Sequence, residues 1–184
     1  MDEQIKLILD KLDEEIKRII IFLQKDFQLV RTGRANPAIL DKIMVSYYGV
    51  DTPLSQVATI QIVEGTQLYI KPFDRSIIKE IEQKINESDL NLPPINDGNG
   101  IRLILPKLTE ERRKESAKEV EKKAENAKIP VRNERRKAND DIRSLELPED
   151  LEKKTLEDIQ KVIDKAILKI DELSKEKIAE VLKI

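Results

Sequence analysis

Apolar residues recur through the first segment at Ile5, Ile8, Leu12, Ile16, Ile19, Leu23, Phe27 and Val30. Steps of three and four draw one stripe down a helix, which at 1.5 Å per residue is about 40 Å long. Gly33 and then Pro37 are its predicted stop. From Lys42 to Leu105 the pattern changes to short β-branched and aromatic runs. IMVSYYG, QVATIQIVE and QLYIKPF, bounded by Gly49, Pro53, Gly65 and Pro72, predict strands. Asp74 is placed to cap a short helix, DRSIIKEIEQKI, whose Ile78, Ile81 and Ile85 share a face. The turn-rich NDGNG then predicts a hairpin into a last strand carrying Ile101, Leu103 and Leu105.

Helical spacing returns after Pro106. Thr109 offers a hydroxyl cap, and Glu110 and Glu111 oppose the helix dipole. Ala117, Val120, Ala124, Ala127, Val131, Ala138, Ile142 and Leu145 then repeat at close to 3.5 residues, with an interruption around Glu134 and Arg135. Pro130 is predicted to kink this helix, because it removes one donor and crowds the preceding turn. Beyond LELPED, Leu156, Ile159, Ile163, Ile167, Ile170, Leu173 and Val181 mark a third long helix. None of the three stripes can be buried alone, whereas packed together they bury one another. The expected fold class is therefore α+β. A long three-helix bundle is formed by both chain ends, residues 1–30 and 106–184, with a small β-rich α/β domain inserted at 31–105. Two covalent crossings, near 31–34 and 104–107, predict a hinge at Thr32, Gly33, Leu105 and Pro106.

Composition narrows the chemistry. The 184 residues are 38% charged and only 3% aromatic, which fits long solvated helices with small aliphatic cores. The net charge of −2 carries no basic signal, but its distribution does. Six of the eleven arginines fall between Arg112 and Arg143, and two more, Arg31 and Arg34, flank Gly33 in VRTGRANPAI. The segment 146–184 holds eleven acids, eight lysines and no arginine. The absence of cysteine and histidine removes disulfides, thiolate nucleophiles, Cys/His zinc sites and the commonest proton-transfer group. The acidic, amphipathic start MDEQIKLILDKLDEE reads as neither a signal nor a transit peptide, and no apolar run reaches membrane-span length. A cytoplasmic setting is expected.

The sharpest cluster is VRNERRKAND, residues 131–140. At 100° per residue, Arg132, Arg136 and Arg143 fall within roughly 40° of one another, while Arg135 lies nearer the apolar seam with its stem available for burial. A solvated face neutralised by Glu134, Asp140 and Asp141 is the plain reading; aligned guanidinium groups for RNA phosphates are the functional one. Arg112 and Arg113 sit in the first turn of the same helix, beside Glu110 and Glu111. Tyr47, Tyr48 and Tyr69 suit packing better than base stacking, and Gly98 and Gly100 lack the pattern of a phosphate loop. The carboxylates form no acid/base pair or metal cage, so no catalytic or metal residue is assigned. A helical scaffold and a carboxylate-dependent hydrolase remain as alternatives.

Taken in order, VRTGRANPAIL, YYGVDTPLSQVA, FDRSIIKEIEQKI, GNGIRLILPKLTEERRKE and VRNERRKAND resemble the bacterial ribosome recycling factor family over essentially the whole chain. Pro130 departs from that pattern, which has a helix-compatible small or aliphatic residue there. The resemblance implies an L-shaped molecule with the bundle as one arm. It also implies a monomeric, non-enzymatic factor that binds rRNA of the large ribosomal subunit after termination. Elongation factor G, which itself hydrolyses GTP, then drives the subunits apart and releases mRNA and tRNA. No cofactor of its own is implied. Carried onto this sequence, the family's rRNA-binding arginines fall on Arg132, Arg135 and Arg136, supported by Arg31 and Arg34 and, at the helix start, Arg112 and Arg113.

Overall fold

The computed structural model describes residues 2–183. Its contacts divide the chain into two units, one made of Met1–Val30 and Arg112–Ile184 and the other of Arg31–Glu111. The second boundary lies beyond Leu105 because Leu105 donates its N–H to the Thr66 carbonyl at 2.9 Å and packs on the core of the inserted unit.

The first unit consists of α1 (Asp2–Gln28) and two further helices near the C-terminal end. α1 stops at Gln28, earlier than Gly33, because Leu29 and Val30 turn their N–H groups to the carbonyls of Asp26 and Phe27 in a tightened last turn. Val30 nevertheless stays buried with the bundle core, and Gly33 takes the left-handed φ of +78° that turns the chain.

In the inserted unit, β1 (Met44–Tyr47) and β2 (Val50–Pro53) form an antiparallel hairpin. A single helical turn, α2 (Leu54–Val57), leads into β3 (Ala58–Val63), β4 (Gln67–Pro72) and α3 (Ile78–Glu87). Two short strands, β5 (Ile95–Asn96) and β6 (Ile101–Ile104), complete a four-stranded antiparallel sheet of order β3-β4-β6-β5. Asp74 accepts the Ser76 N–H and caps the turn before α3, and Ile78, Ile81 and Ile85 are buried as their spacing predicts. Two elements depart from the sequence reading. VDTP pairs with β1 as a strand, and Gln56 and Val57 belong to α2 rather than to the strand that follows. Leu54 and Val57 are buried there, so one turn of helix sinks two apolar side chains that an extended run would point to opposite faces.

The two remaining helices are α4 (Glu110–Arg143) and α5 (Glu149–Leu182). Along α4 the buried positions are Ser116, Val120, Ala124, Val131, Ala138 and Ile142; along α5 they are Thr155, Ile159, Ile163, Ala166, Ile170, Ser174 and Val181. Both series advance by whole helical turns, in steps of four and seven with one of three in α5, and meet Leu12, Ile16, Leu23 and Phe27 of α1 in one core. Partly buried ion pairs tie the helices laterally. Lys123 meets Asp26 of α1 at 2.7 Å, and Lys128 bridges Asp171 of α5 at 2.7 Å and Glu125 at 2.9 Å. α4 starts one residue after Thr109 and continues as one helix through Pro130. The N–H that Pro130 lacks is the one that an unbroken helix would give to the carbonyl of Asn126, an exposed residue.

Candidate nucleic-acid interface

The α4 seam explains the arginine cluster. Val131, Ala138 and Ile142 face the core, which sends Arg132, Arg136 and Arg143 outward, and all three are exposed. Arg143 lies 3.8 Å from Asp140, a loose pairing of two exposed groups. Among the described residues, none engages the side chain of Arg132 or Arg136 in a hydrogen bond or in an ion pair within 4.0 Å. Two guanidinium groups one helical turn apart, about 6 Å along the axis, thus stand open on a rigid helix. That spacing suits phosphates along one nucleic-acid backbone.

Arg135 behaves differently. It occupies the seam slot between Val131 and Ala138, is half-buried, and donates through Nη1 to the Gln160 Oε1 of α5 at 3.2 Å. Gln160 in turn donates to Asp164 at 2.8 Å. The Arg135 Nε and the Asn139 Oδ1 are buried without a partner. This arginine therefore links two helices, and its sequence neighbours present the charge. Gln160 is the residue that sequence reasoning missed; its only signal is a polar position on the stripe side of α5.

The other candidates lie elsewhere. Arg112 is exposed and Arg113 half-buried at the start of α4, so Arg113 is about 28 Å along the axis from Arg132. Arg31 and Arg34 are exposed and belong to the inserted unit. Thr32 Oγ1 accepts the Arg34 N–H at 3.3 Å, which shapes the corner around Gly33, and Pro106 is exposed beyond the anchored Leu105.

The NDGNG segment is a structural turn. The Asp97 carboxylate accepts N–H bonds from Asn99 and Gly100, which hold it below the usual carboxylate range, and it also accepts the Tyr69 hydroxyl at 3.0 Å. Arg102 lies over the Tyr69 ring, 5.7 Å from its centroid. Tyr69 is thereby committed to the sheet, whereas Tyr48 stands at the β1–β2 tip, 86% exposed. Among the described residues, no group of acids forms a metal-binding cluster, and no helix is long and apolar enough to cross a membrane.

Comparison with known proteins fixes what this arrangement belongs to. The family model "Ribosome recycling factor" matches residues 23–182. The chain belongs to the ribosome recycling factor family. Its function is accordingly ribosome recycling. The ribosome-recycling factor of Acholeplasma laidlawii is 54% identical over 184 residues, covering 100% of both chains. That of Bacillus subtilis is 45% identical, covering 97% of this chain and 99% of its own. A solution structure of a ribosome recycling factor, 37% identical, superposes with a TM-score of 0.79 over 98% of each chain. The T. thermophilus recycling factor, described with E. coli elongation factor G bound to the E. coli post-termination complex, is 36% identical. It covers 97% of this chain and 99% of its own with a TM-score of 0.65. The long helices from both chain ends and the small antiparallel sheet are thus the architecture of the recycling factors.

Proposed function

We propose that this chain is a non-enzymatic cytoplasmic factor that binds the post-termination ribosome through large-subunit rRNA and, with elongation factor G, splits it into subunits. The description of the T. thermophilus factor with elongation factor G on the post-termination complex supports the choice of partners. GTP is consumed by the partner, and this chain contributes binding and leverage without a cofactor of its own. The observation that carries the rRNA reading is the exposed Arg132 and Arg136 pair, held by a continuous helix whose Val131, Ala138 and Ile142 are locked in the bundle core. A helical scaffold has no use for such a pair. The test is a subunit-splitting assay on post-termination complexes with elongation factor G and GTP. Splitting that requires this protein supports the proposal; equal splitting in its absence refutes it.

The proposal includes a hinge. Val30 is anchored in the bundle core, while Ala35 donates to the Gly65 carbonyl at 2.8 Å, so residues 31–34 run between two fixed points. Leu105 is anchored to Thr66, and residues 106–109 lead irregularly to α4. Within the inserted unit these two segments pass close together, since a methyl group added at Gly33 would meet the Leu108 backbone at 3.8 Å. A covalent crosslink between the two units is expected to preserve ribosome binding and abolish splitting, and full splitting by the crosslinked protein excludes the hinge.

A further inference from the structure

Two uncharged side chains share the face of α4 that carries the arginine pair. Ile129, Arg132, Asn133 and Arg136 stand at i, i+3, i+4 and i+7. At 100° per residue they span roughly 100° and centre about 150° from Val131, Ala138 and Ile142. All four are exposed, and Ile129 leaves 53% of its surface open. Among the described residues, none holds the Asn133 side-chain amide in a hydrogen bond. Asparagine is a poor helix former, so an exposed one without a partner gives the bundle nothing that alanine would not give better.

Its chemistry differs from that of its neighbours. A guanidinium only donates, whereas the Asn133 amide carries an acceptor, Oδ1, beside its two donors. Phosphate oxygens only accept, so Oδ1 needs a hydroxyl or an N–H opposite it. Along the helix axis Asn133 lies between Arg132 and Arg136, and consecutive phosphates of one RNA strand have a single ribose between them. We infer that Asn133 reads that ribose: its Oδ1 accepts the 2′-hydroxyl proton while the two guanidinium groups hold the flanking phosphates. Ile129, one turn earlier, covers the sugar edge and keeps water from the hydrogen bond. In A-form RNA the 2′-hydroxyls line a wide, shallow minor groove that a helix surface can reach, and DNA lacks them. The inference rests on the rRNA reading of the arginine pair and adds to it a neutral contact that releases no counterions.

Two measurements on the full-length protein test it. The first is binding to purified large subunits across a salt series, with thermal unfolding alongside. Asn133→Ala is expected to bind about fivefold more weakly at every salt concentration, the value of one net hydrogen bond, with an unchanged salt slope and a melting temperature no lower than that of the natural protein. Arg132→Ala combined with Arg136→Ala is expected instead to lose slope. Natural affinity in Asn133→Ala overturns the inference, and the rRNA reading still stands if the arginine variant loses slope; an unchanged slope in the arginine variant overturns both. The second measurement compares a short RNA duplex with its 2′-fluoro counterpart, which keeps the A form but has no hydroxyl to donate, in amide NMR titrations at low salt. Saturable shifts at Arg132 and Arg136 are expected with both, the RNA being bound about fivefold more tightly by the natural protein and equally by Asn133→Ala. Equal affinity of the natural protein for the two duplexes, a preference for RNA that survives Asn133→Ala, or shifts that do not saturate overturn the inference.

Discussion

Replacing Arg132 and Arg136 together by alanine separates RNA contact from folding. Both side chains are exposed on α4, outside the seam that holds the bundle, so the change in stability is expected to stay within about 0.5 kcal/mol. If each guanidinium neutralises one phosphate, each contributes about 0.7 to 0.9 to the slope of log affinity against log salt, and the pair about 1.4 to 1.8. Between 50 and 200 mM salt, a fourfold change, the natural protein should therefore lose about 7- to 12-fold more affinity than the double variant. The assay is equilibrium binding to purified large subunits across that salt range, with thermal unfolding measured in parallel. Lys161→Ala serves as the charge control, since Lys161 is an exposed α5 residue off the stripe whose neighbour Asp158 lies at 3.7 Å. Parallel salt slopes for the natural protein and the double variant, at equal melting temperature, would refute the phosphate contacts.

Arg135→Met is expected to behave oppositely. It removes a buried Nε without a partner and fills the same seam slot, so the bundle should melt at the same temperature or higher while the salt slope changes less than for Arg132→Ala. Gly100→Ala should destabilise the inserted unit by about 2 kcal/mol or more, because the new methyl would lie 2.6 Å from the Ile70 carbonyl oxygen and 2.7 Å from the Tyr69 ring. Hydrogen exchange should show faster opening in β4 and β6 with the bundle amides unchanged. Acid should also act first on the inserted unit. Asp97 is held below its ordinary value of 3.8 by the Asn99 and Gly100 N–H groups, and Asp74 by Ser76. The stability they supply is fully present above 3.8 and lost as pH falls through their lower folded values. Asp97→Asn should flatten that acid dependence, which unfolding curves followed at the Tyr69 ring would record.

Lys128 gives the bundle the complementary sign. Hydrogen bonds to Asp171 and then Glu125 raise its pKa above 10.5, so its contribution is present below that value and lost as pH rises through the raised one.

Much of this protein is readable along the chain because its elements are long and periodic. Three stripes stepping by threes and fours specify three helices, and the isoleucines of α3 and the NDGNG turn specify their own burial and hydrogen bonding. The outward direction of Arg132 and Arg136 follows from the same period, once Val131, Ala138 and Ile142 are taken as the seam. The failures are local and short. VDTP has no alternating pattern, and becomes a strand only because MVSY lies beside it; LSQV is too short for helical periodicity to register.

What the sequence by itself determined is which residues are apolar, at what spacing, and therefore which faces must be covered. It could not decide what covers them, because burial depends on the side chains that other helices bring. Only packing against α5 turns Arg135 from a member of the arginine run into a link to Gln160, although its chemistry equals that of its neighbours. Likewise Pro130 removes one donor in any context. Its position in the wall of a cleft beside Ile19, Phe22 and Leu23 of α1 is decided only by how the helices pack. Periodicity is a property of the chain, whereas a site requires atoms from different helices to meet, and that meeting is decided by the tertiary structure.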